Sequence, residues 1–152
     1  TIIGAGELEE SLKAYAKERG METRVHFLGR VTDEELYRQI ERCDVFVLPS
    51  VMKSEAFGLV QQEAMAFGKP VINTRLASGV PEVSLDGLTG LTVEPGNAAA
   101  LAEAMEWMEE HPAERIRMGQ AARERVEKEY TMDVMMDRMM GIYQKLMEDE
   151  RR

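Results

Sequence analysis

Residues 49–72 read P-S-V-M-K-S-E-A-F-G-L-V-Q-Q-E-A-M-A-F-G-K-P-V-I. Two carboxylates, Glu55 and Glu63, stand in this stretch with seven residues between them, around a Phe57-Gly58 step that opens a helical pattern. Ahead of it, Val45-Phe46-Val47-Leu48 is a short apolar run of the kind a buried parallel strand needs. Pro49 and Ser50 end that run with a residue that cannot donate to a ladder, so the chain leaves the sheet at the strand's carboxyl end. Gly58 permits a tight turn, Leu59 to Phe67 carries apolar residues at helical spacing, and Gly68 followed by Pro70 is a stop signal. Val71-Ile72 then resumes the sheet. This order places the backbone N–H groups of Ala56, Phe57, Gly58 and Leu59 at a helix N-terminus, where unpaired donors and the helix dipole favour an anion. In open α/β sheets the crevice at that edge is the usual ligand site.

The same alternation runs through most of the chain. Thr1 to Ile3 reads as the end of a strand, Glu7 to Arg19 as a helix, Val25 to Leu28 as a strand, and Asp33 to Arg42 as a helix capped by Thr32 or Asp33. A strand near Leu91 to Val93 and a helix from Ala98 to Glu109 follow. The fold class expected is therefore α/β, a Rossmann-like parallel sheet with helices on both faces. After Pro112 two charged amphipathic helices close the chain, at Ala113 to Glu129 and about Met132 to Glu148. Met132, Met135, Met136, Met139, Met140, Tyr143 and Met147 recur at helical spacing in the last of them, which on its own reads as a core-facing stripe.

Composition narrows the function classes. A chain of 152 residues is one domain by length, here residues 1–152, and large enough for a real core. A net charge of -9 argues against a nucleic-acid partner or an anionic membrane surface, both of which select basic patches. The single cysteine, Cys43, beside the apolar strand, reads as a buried core thiol; it leaves no disulfide framework, as suits a reducing, cytoplasmic setting. His26 and His111 have no Cys, His or acidic neighbour at ligand spacing, so no metal site is expected. Neither a signal peptide nor an apolar run of membrane-spanning length is visible. The sequence starts at Thr1 directly on a short apolar strand and is read as an excised domain.

The 49–72 stretch resembles the signature of the retaining, nucleotide-sugar-dependent glycosyltransferases of the GT-B fold (glycosyl transferases group 1). Further likenesses follow in order: I-I-G-A-G at Ile2–Gly6, V-H-F-L-G-R-V at Val25–Val31, S-G-V-P-E-V at Ser78–Val83, and D-G-L-T-G-L-T-V at Asp86–Val93. The commonest family wording has Gly where this chain has Ala56. The resemblance implies the C-terminal, donor-binding half of such an enzyme, lacking its first elements. The acceptor-binding N-terminal domain, and the Arg and Lys that clamp the diphosphate, would precede Thr1.

By the same resemblance, Glu63 accepts hydrogen bonds from two neighbouring ribose hydroxyls of the donor, a task suited to a carboxylate. Glu55 is the catalytic candidate, holding hydroxyls of the transferred sugar and orienting its anomeric carbon. The amides of Ala56, Phe57, Gly58 and Leu59 would meet phosphate or sugar oxygens. Arg30 and Val31, with Gly29, fall where relatives meet the base, and Gly4 and Gly6 would let the chain pass close to the donor. Plainer readings stand beside these: Glu63 as an exposed helix glutamate, Glu55 as an unimportant loop residue, Arg30 as solvated, Gly29 as a strand stop and G-A-G as a turn. Glu82 and Asp86 read as loop and turn residues.

The implied activity is transfer of a hexose from a UDP- or GDP-sugar to a glycan or lipid-linked acceptor, as in polysaccharide biosynthesis, with no cofactor and no bound metal. The alternative is a non-catalytic nucleotide-binding or interaction α/β module. A cytoplasmic location is expected, with a membrane-peripheral position open to the full-length protein. By the resemblance, the final GT-B helix packs back on the N-terminal domain, so the isolated chain is expected either to dimerise through its methionine stripe or to swap that helix with a neighbour.

Overall fold

The computed structural model describes residues 1–149, with five strands and seven helices. The backbone falls into two compact units, Thr1–Arg42 and a second that begins at Cys43.

The first unit is a β-α-β-α run: β1 (Ile2–Ile3), α1 (Glu9–Glu18), β2 (Phe27–Gly29) and α2 (Asp33–Arg42). β1 and β2 pair in parallel, with Ile2 opposite Phe27 and Ile3 opposite Gly29. β2 starts two residues later than expected because the N–H groups of Arg24 and Val25 donate back to the Met21 carbonyl, which keeps that stretch in a turn. α1 begins at Glu9 and not Glu7, since Glu7 and Leu8 form a turn after Gly6. α2 has the bounds the sequence gives, and Thr32 is its cap: Oγ1 accepts the Glu35 N–H at 3.3 Å. Three acids in its first turn and Arg42 in its last complement the helix dipole.

The second unit holds β3 (Phe46–Val47), α3 (Leu59–Ala66), β4 (Val71–Thr74), α4 (Val80–Val83), β5 (Gly90–Val93), α5 (Ala98–Glu110), α6 (Pro112–Glu129) and α7 (Met132–Asp149). Its sheet has the order β3-β4-β5, all parallel, in register from Phe46 opposite Val71 to Thr74 opposite Val93. β4 is central and its four residues, V-I-N-T, are all buried, as a strand covered on both faces requires.

Side-chain alternation along β4 separates the two covers. Ile72 packs with Ala104 and Met108 of α5 and Met118 of α6, edged by Val47, Leu91 and Leu101. Asn73 is bonded instead to the α3 and α4 side. Helices therefore lie on both faces of a parallel sheet, the α/β architecture read from the sequence. Asn97 caps α5 by accepting the Ala100 N–H at 3.0 Å, and Pro112 opens α6, where its missing N–H costs nothing.

Three readings need correction. Val80–Val83 is a short helix and not a loop, so Glu82 lies on α4. Its carbonyls are held from α6: Arg125 Nη2 donates to the Glu82 carbonyl at 2.9 Å and Nε to that of Val83 at 3.0 Å. Cys43 is half-buried, not part of the core, although burial still raises its thiol above the ordinary range. The methionine stripe of α7 does not face a core: none of the helix's described side chains is buried, and Met136, Met140, Tyr143 and Met147 are about half exposed.

Candidate functional site

The site candidates of the second unit cluster on the segment between β3 and α3. Gly58 sits at the N-cap of α3 in the left-handed region, φ 68° and ψ 59°, which an L side chain rarely adopts. A Cβ there would also lie 2.7 Å from Leu48 Cδ2 and 2.8 Å from Gln61 Nε2, so glycine is required twice over.

Glu55 holds the turn into the same helix from the loop. Its Oε1 accepts the Gly58 N–H at 3.1 Å, while its own N–H donates to the Met52 carbonyl. The carboxylate thus has a definite structural task besides any contact with a ligand. Glu63 stands one turn into α3, half-buried, and among the described residues no group donates to its carboxylate. A half-buried carboxylate with no donor among the described residues is equipped to accept from a ligand.

Ala56, Phe57 and Leu59 are exposed, Leu59 by 66%. The first amides of α3 lack intrahelical acceptors, as at any helix start. The Ala56 carbonyl accepts the Gly79 N–H at 2.8 Å, and a Cβ on Gly79 would press 2.6 Å from Phe57 Cδ2. The glycine of the S-G-V-P-E-V stretch is therefore where the donor-loop candidate leans on the start of α4. Phe57 also meets Tyr130 edge to face, with ring centroids 6.2 Å apart.

Behind the loop lies a polar network. Gln61 and Asn73 are both fully buried. Gln61 Nε2 donates to the carbonyls of Phe57 and Val80, each at 3.2 Å, and its Oε1 accepts from Asn73 Nδ2 at 3.0 Å. Asn73 Nδ2 further reaches the Ser84 carbonyl at 3.2 Å, and Thr92 Oγ1 donates to its Oδ1 at 2.7 Å. Ser84 and Thr89 close the network through a 2.9 Å hydroxyl pair. Buried polar groups are tolerated only when bonded in this way. Sequence reasoning did not single out Gln61, Asn73 or Gly79. The signal available was an asparagine inside a strand otherwise ready for complete burial.

A cavity of about 190 Å³ opens at the carboxyl ends of the three strands, lined by Pro49, Thr74 and Val93 among others. Glu94 lines it, but neither Glu55 nor Glu63 does. Asp86 is tied down locally, accepting the Thr92 N–H at 2.9 Å and pairing loosely with Arg75 at 3.7 Å.

In the first unit, Gly4 and Gly29 come together at the carboxyl edge of the β1-β2 pair, the Gly4 N–H donating to the Gly29 carbonyl at 2.8 Å. Gly6 accepts the Glu9 N–H, so the G-A-G loop does form the turn into α1. Arg30 is exposed and Val31 half-buried just beyond β2. His111 is taken up by Trp107, stacked at 4.5 Å with Nδ1 2.8 Å from its carbonyl. Among the described residues no three His, Cys, Asp or Glu gather at a metal-binding spacing, and no helix is long and apolar enough to cross a membrane.

The sequence profile of the family described as Glycosyl transferases group 1 matches residues 1–125. This chain belongs to that family. Among its relatives, D-rhamnosyltransferase WbpZ of Pseudomonas aeruginosa is 39% identical over 130 residues, 86% of this chain and 34% of the relative. The O-antigen chain mannosyltransferase C of Escherichia coli is 32% identical over 149 residues, 98% of this chain and 40% of the relative. The group 1 glycosyltransferase chain thus spans well under half of those proteins. Of solved structures, a sucrose-phosphate synthase from Thermosynechococcus elongatus superimposes with a TM-score of 0.81 at 30% identity, over 97% of this chain and 38% of its own. HepE of Anabaena, crystallised with UDP-glucose, gives 0.80 at 25% identity, over 94% of this chain and 40% of its own. These neighbours share the parallel α/β architecture described above, that of GT-B glycosyltransferase C-terminal domains.

Proposed function

We propose that this chain is the donor-binding domain of a retaining glycosyltransferase that moves a hexose from a UDP- or GDP-sugar to a glycan or lipid-linked acceptor. The observation that carries the reading is the Glu55–Glu63 segment: one carboxylate fixed on the loop amide, the other half-buried on the following helix with no donor among the described residues. The relatives named for rhamnosyl and mannosyl transfer, and the HepE structure with UDP-glucose, support a sugar-nucleotide donor.

Glu63 holds the ribose hydroxyls, and the amides of Ala56, Phe57 and Leu59 receive phosphate or sugar oxygens, while the Gly58 amide, bonded to Glu55 Oε1, holds the loop carboxylate in place. Gly4, Gly6, Arg30 and Val31 are the first unit's own candidates for contact with the donor, the last two with the base. Glu55 faces hydroxyls of the transferred sugar. The transition state is oxocarbenium-like, and catalysis consists of positioning the donor and stabilising the departing nucleoside diphosphate. With Glu55 holding the sugar, the acceptor hydroxyl attacks the anomeric carbon from the face that the nucleoside diphosphate vacates and passes its proton to a departing phosphate oxygen, so that configuration is retained without a covalent intermediate. Residues 1–152 act as one domain of a longer cytoplasmic protein, whose N-terminal partner supplies the acceptor site and basic clamp.

Three outcomes test this. Glu55→Ala should lower turnover of the full-length protein more than its affinity for UDP or GDP, since the side chain addresses the sugar. Part of the loss comes from the turn, since Glu55→Ala also removes the hydrogen bond from the Gly58 amide, about 1 kcal/mol of stability. Glu55→Gln, which keeps an acceptor for the Gly58 amide, separates the two. If calorimetry finds nucleoside diphosphate binding reduced as much as turnover, Glu55 does not serve the sugar. EDTA should leave turnover unchanged, because helix dipoles and basic side chains offset the diphosphate charge; activity restored only by a divalent cation contradicts that.

The α7 stripe supports the third outcome. The isolated chain should dimerise through Met136, Met139, Met140 and Tyr143, all 40–55% exposed in the monomer. Sedimentation over a concentration series reads this directly. A strict monomer whose Met136 and Met140 resist oxidation contradicts it.

A further inference from the structure

We infer that Gln61, anchored by Asn73, is a positioning residue that sets the Phe57–Gly58 peptide plane and through it the Glu55 carboxylate; its role in transfer rests on the reading above. A trans peptide is planar, with its C=O and N–H pointing in opposite directions. Here the two ends of one such plane have different partners. The Phe57 carbonyl accepts from Gln61 Nε2 at 3.2 Å, and the Gly58 N–H donates to Glu55 Oε1 at 3.1 Å. Fixing the carbonyl on the protein side therefore aims the amide at Glu55.

The Gln61 amide is itself held. It is fully buried, its second donor bond goes to the Val80 carbonyl, and its Oε1 is fixed by Asn73 Nδ2, which the β4 strand carries. Its Nε2 also lies against Gly58, where an added Cβ would come within 2.8 Å, so the amide occupies the space that any larger residue there would need. Asn73 binds Val80 and Ser84 carbonyls and a Thr92 hydroxyl as well, tying α3, α4, β4 and β5 to this one plane. An apolar pair would fill the core without these constraints. Two amides in it with every polar atom bonded specify one geometry.

The test is made on the full-length protein with Gln61→Met, close to glutamine in length and without its donors, and with Met108→Ala as a control that weakens the core away from the loop. In Gln61→Met the Gly58 amide should exchange with solvent about tenfold faster relative to the β4 amides, whereas in Met108→Ala, which loosens the packing under β4 itself, it should exchange no faster relative to the β4 amides than in wild type. Turnover, read as UDP or GDP released from UDP-glucose or GDP-mannose, should fall about tenfold in Gln61→Met, a larger loss than that of UDP and GDP affinity. On a Glu55→Ala background the same substitution should add little, since the two act through one contact. An unaltered Gly58 exchange ratio, or turnover losses that simply add, overturns the positioning role and leaves the transferase reading standing. No nucleotide release by wild type from either donor overturns the transferase reading and the role in transfer with it, while the exchange result still decides the positioning itself. If Gln61→Met does not fold, wild-type exchange decides: Gly58 protected like β4 supports the inference, and Gly58 exchanging at loop rates overturns it.

Discussion

Replacing Glu63 by alanine should weaken UDP or GDP binding to the full-length protein by one to two orders of magnitude, corresponding to roughly 1.5–3 kcal/mol for hydrogen bonds to a charged acceptor. No described residue donates to this carboxylate in the chain itself, so its removal breaks no internal bond and fold stability should hardly change. Affinity and stability are thereby separated at one position. Calorimetry that finds donor and nucleoside diphosphate affinity unchanged in a folded Glu63→Ala protein removes Glu63 from the ribose.

Gly58→Ala should have the opposite signature, with stability and binding lost together. A non-glycine residue in the left-handed region costs about 1–2 kcal/mol. The new methyl group must also displace Leu48 and Gln61, and overpacking of that kind adds about 1–3 kcal/mol. Thermal unfolding should show a lower Tm, and nucleotide binding should fall because the turn that carries the Glu55 amide partner has moved. A variant with wild-type Tm and affinity shows that the turn is not constrained as described.

What the sequence discloses of the fold and site depends on how local each cause is. β3, α3 and β4 were legible because their signals are contiguous: an apolar run, a proline, a glycine step and a glycine-proline stop. The bounds of α2 follow from its own cap and charges. α4 was not legible, since four residues make no periodicity and its last carbonyls are satisfied by Arg125, 42 positions further along the chain. β2 slid because a turn at Met21 captured the Val25 amide, a competition that β propensity does not register.

The same division holds in the site. Glu55 and Glu63 stand out because their flanking string is distinctive. Gln61 and Gln62 are adjacent and chemically identical, and only packing makes the first fully buried and leaves the second half-buried. Nothing local tells them apart. The methionine stripe of α7 was visible as a pattern, but periodicity reveals an apolar face and not what covers it.

A thermal-shift screen of UDP- and GDP-sugars against the full-length protein tests the central claim most directly. At least one sugar nucleotide should raise Tm in a concentration-dependent way, with the shift lost in Glu63→Ala. No shift from any saturating sugar nucleotide, or an equal shift in Glu63→Ala, contradicts the assignment of this chain as a donor-binding domain built around that carboxylate.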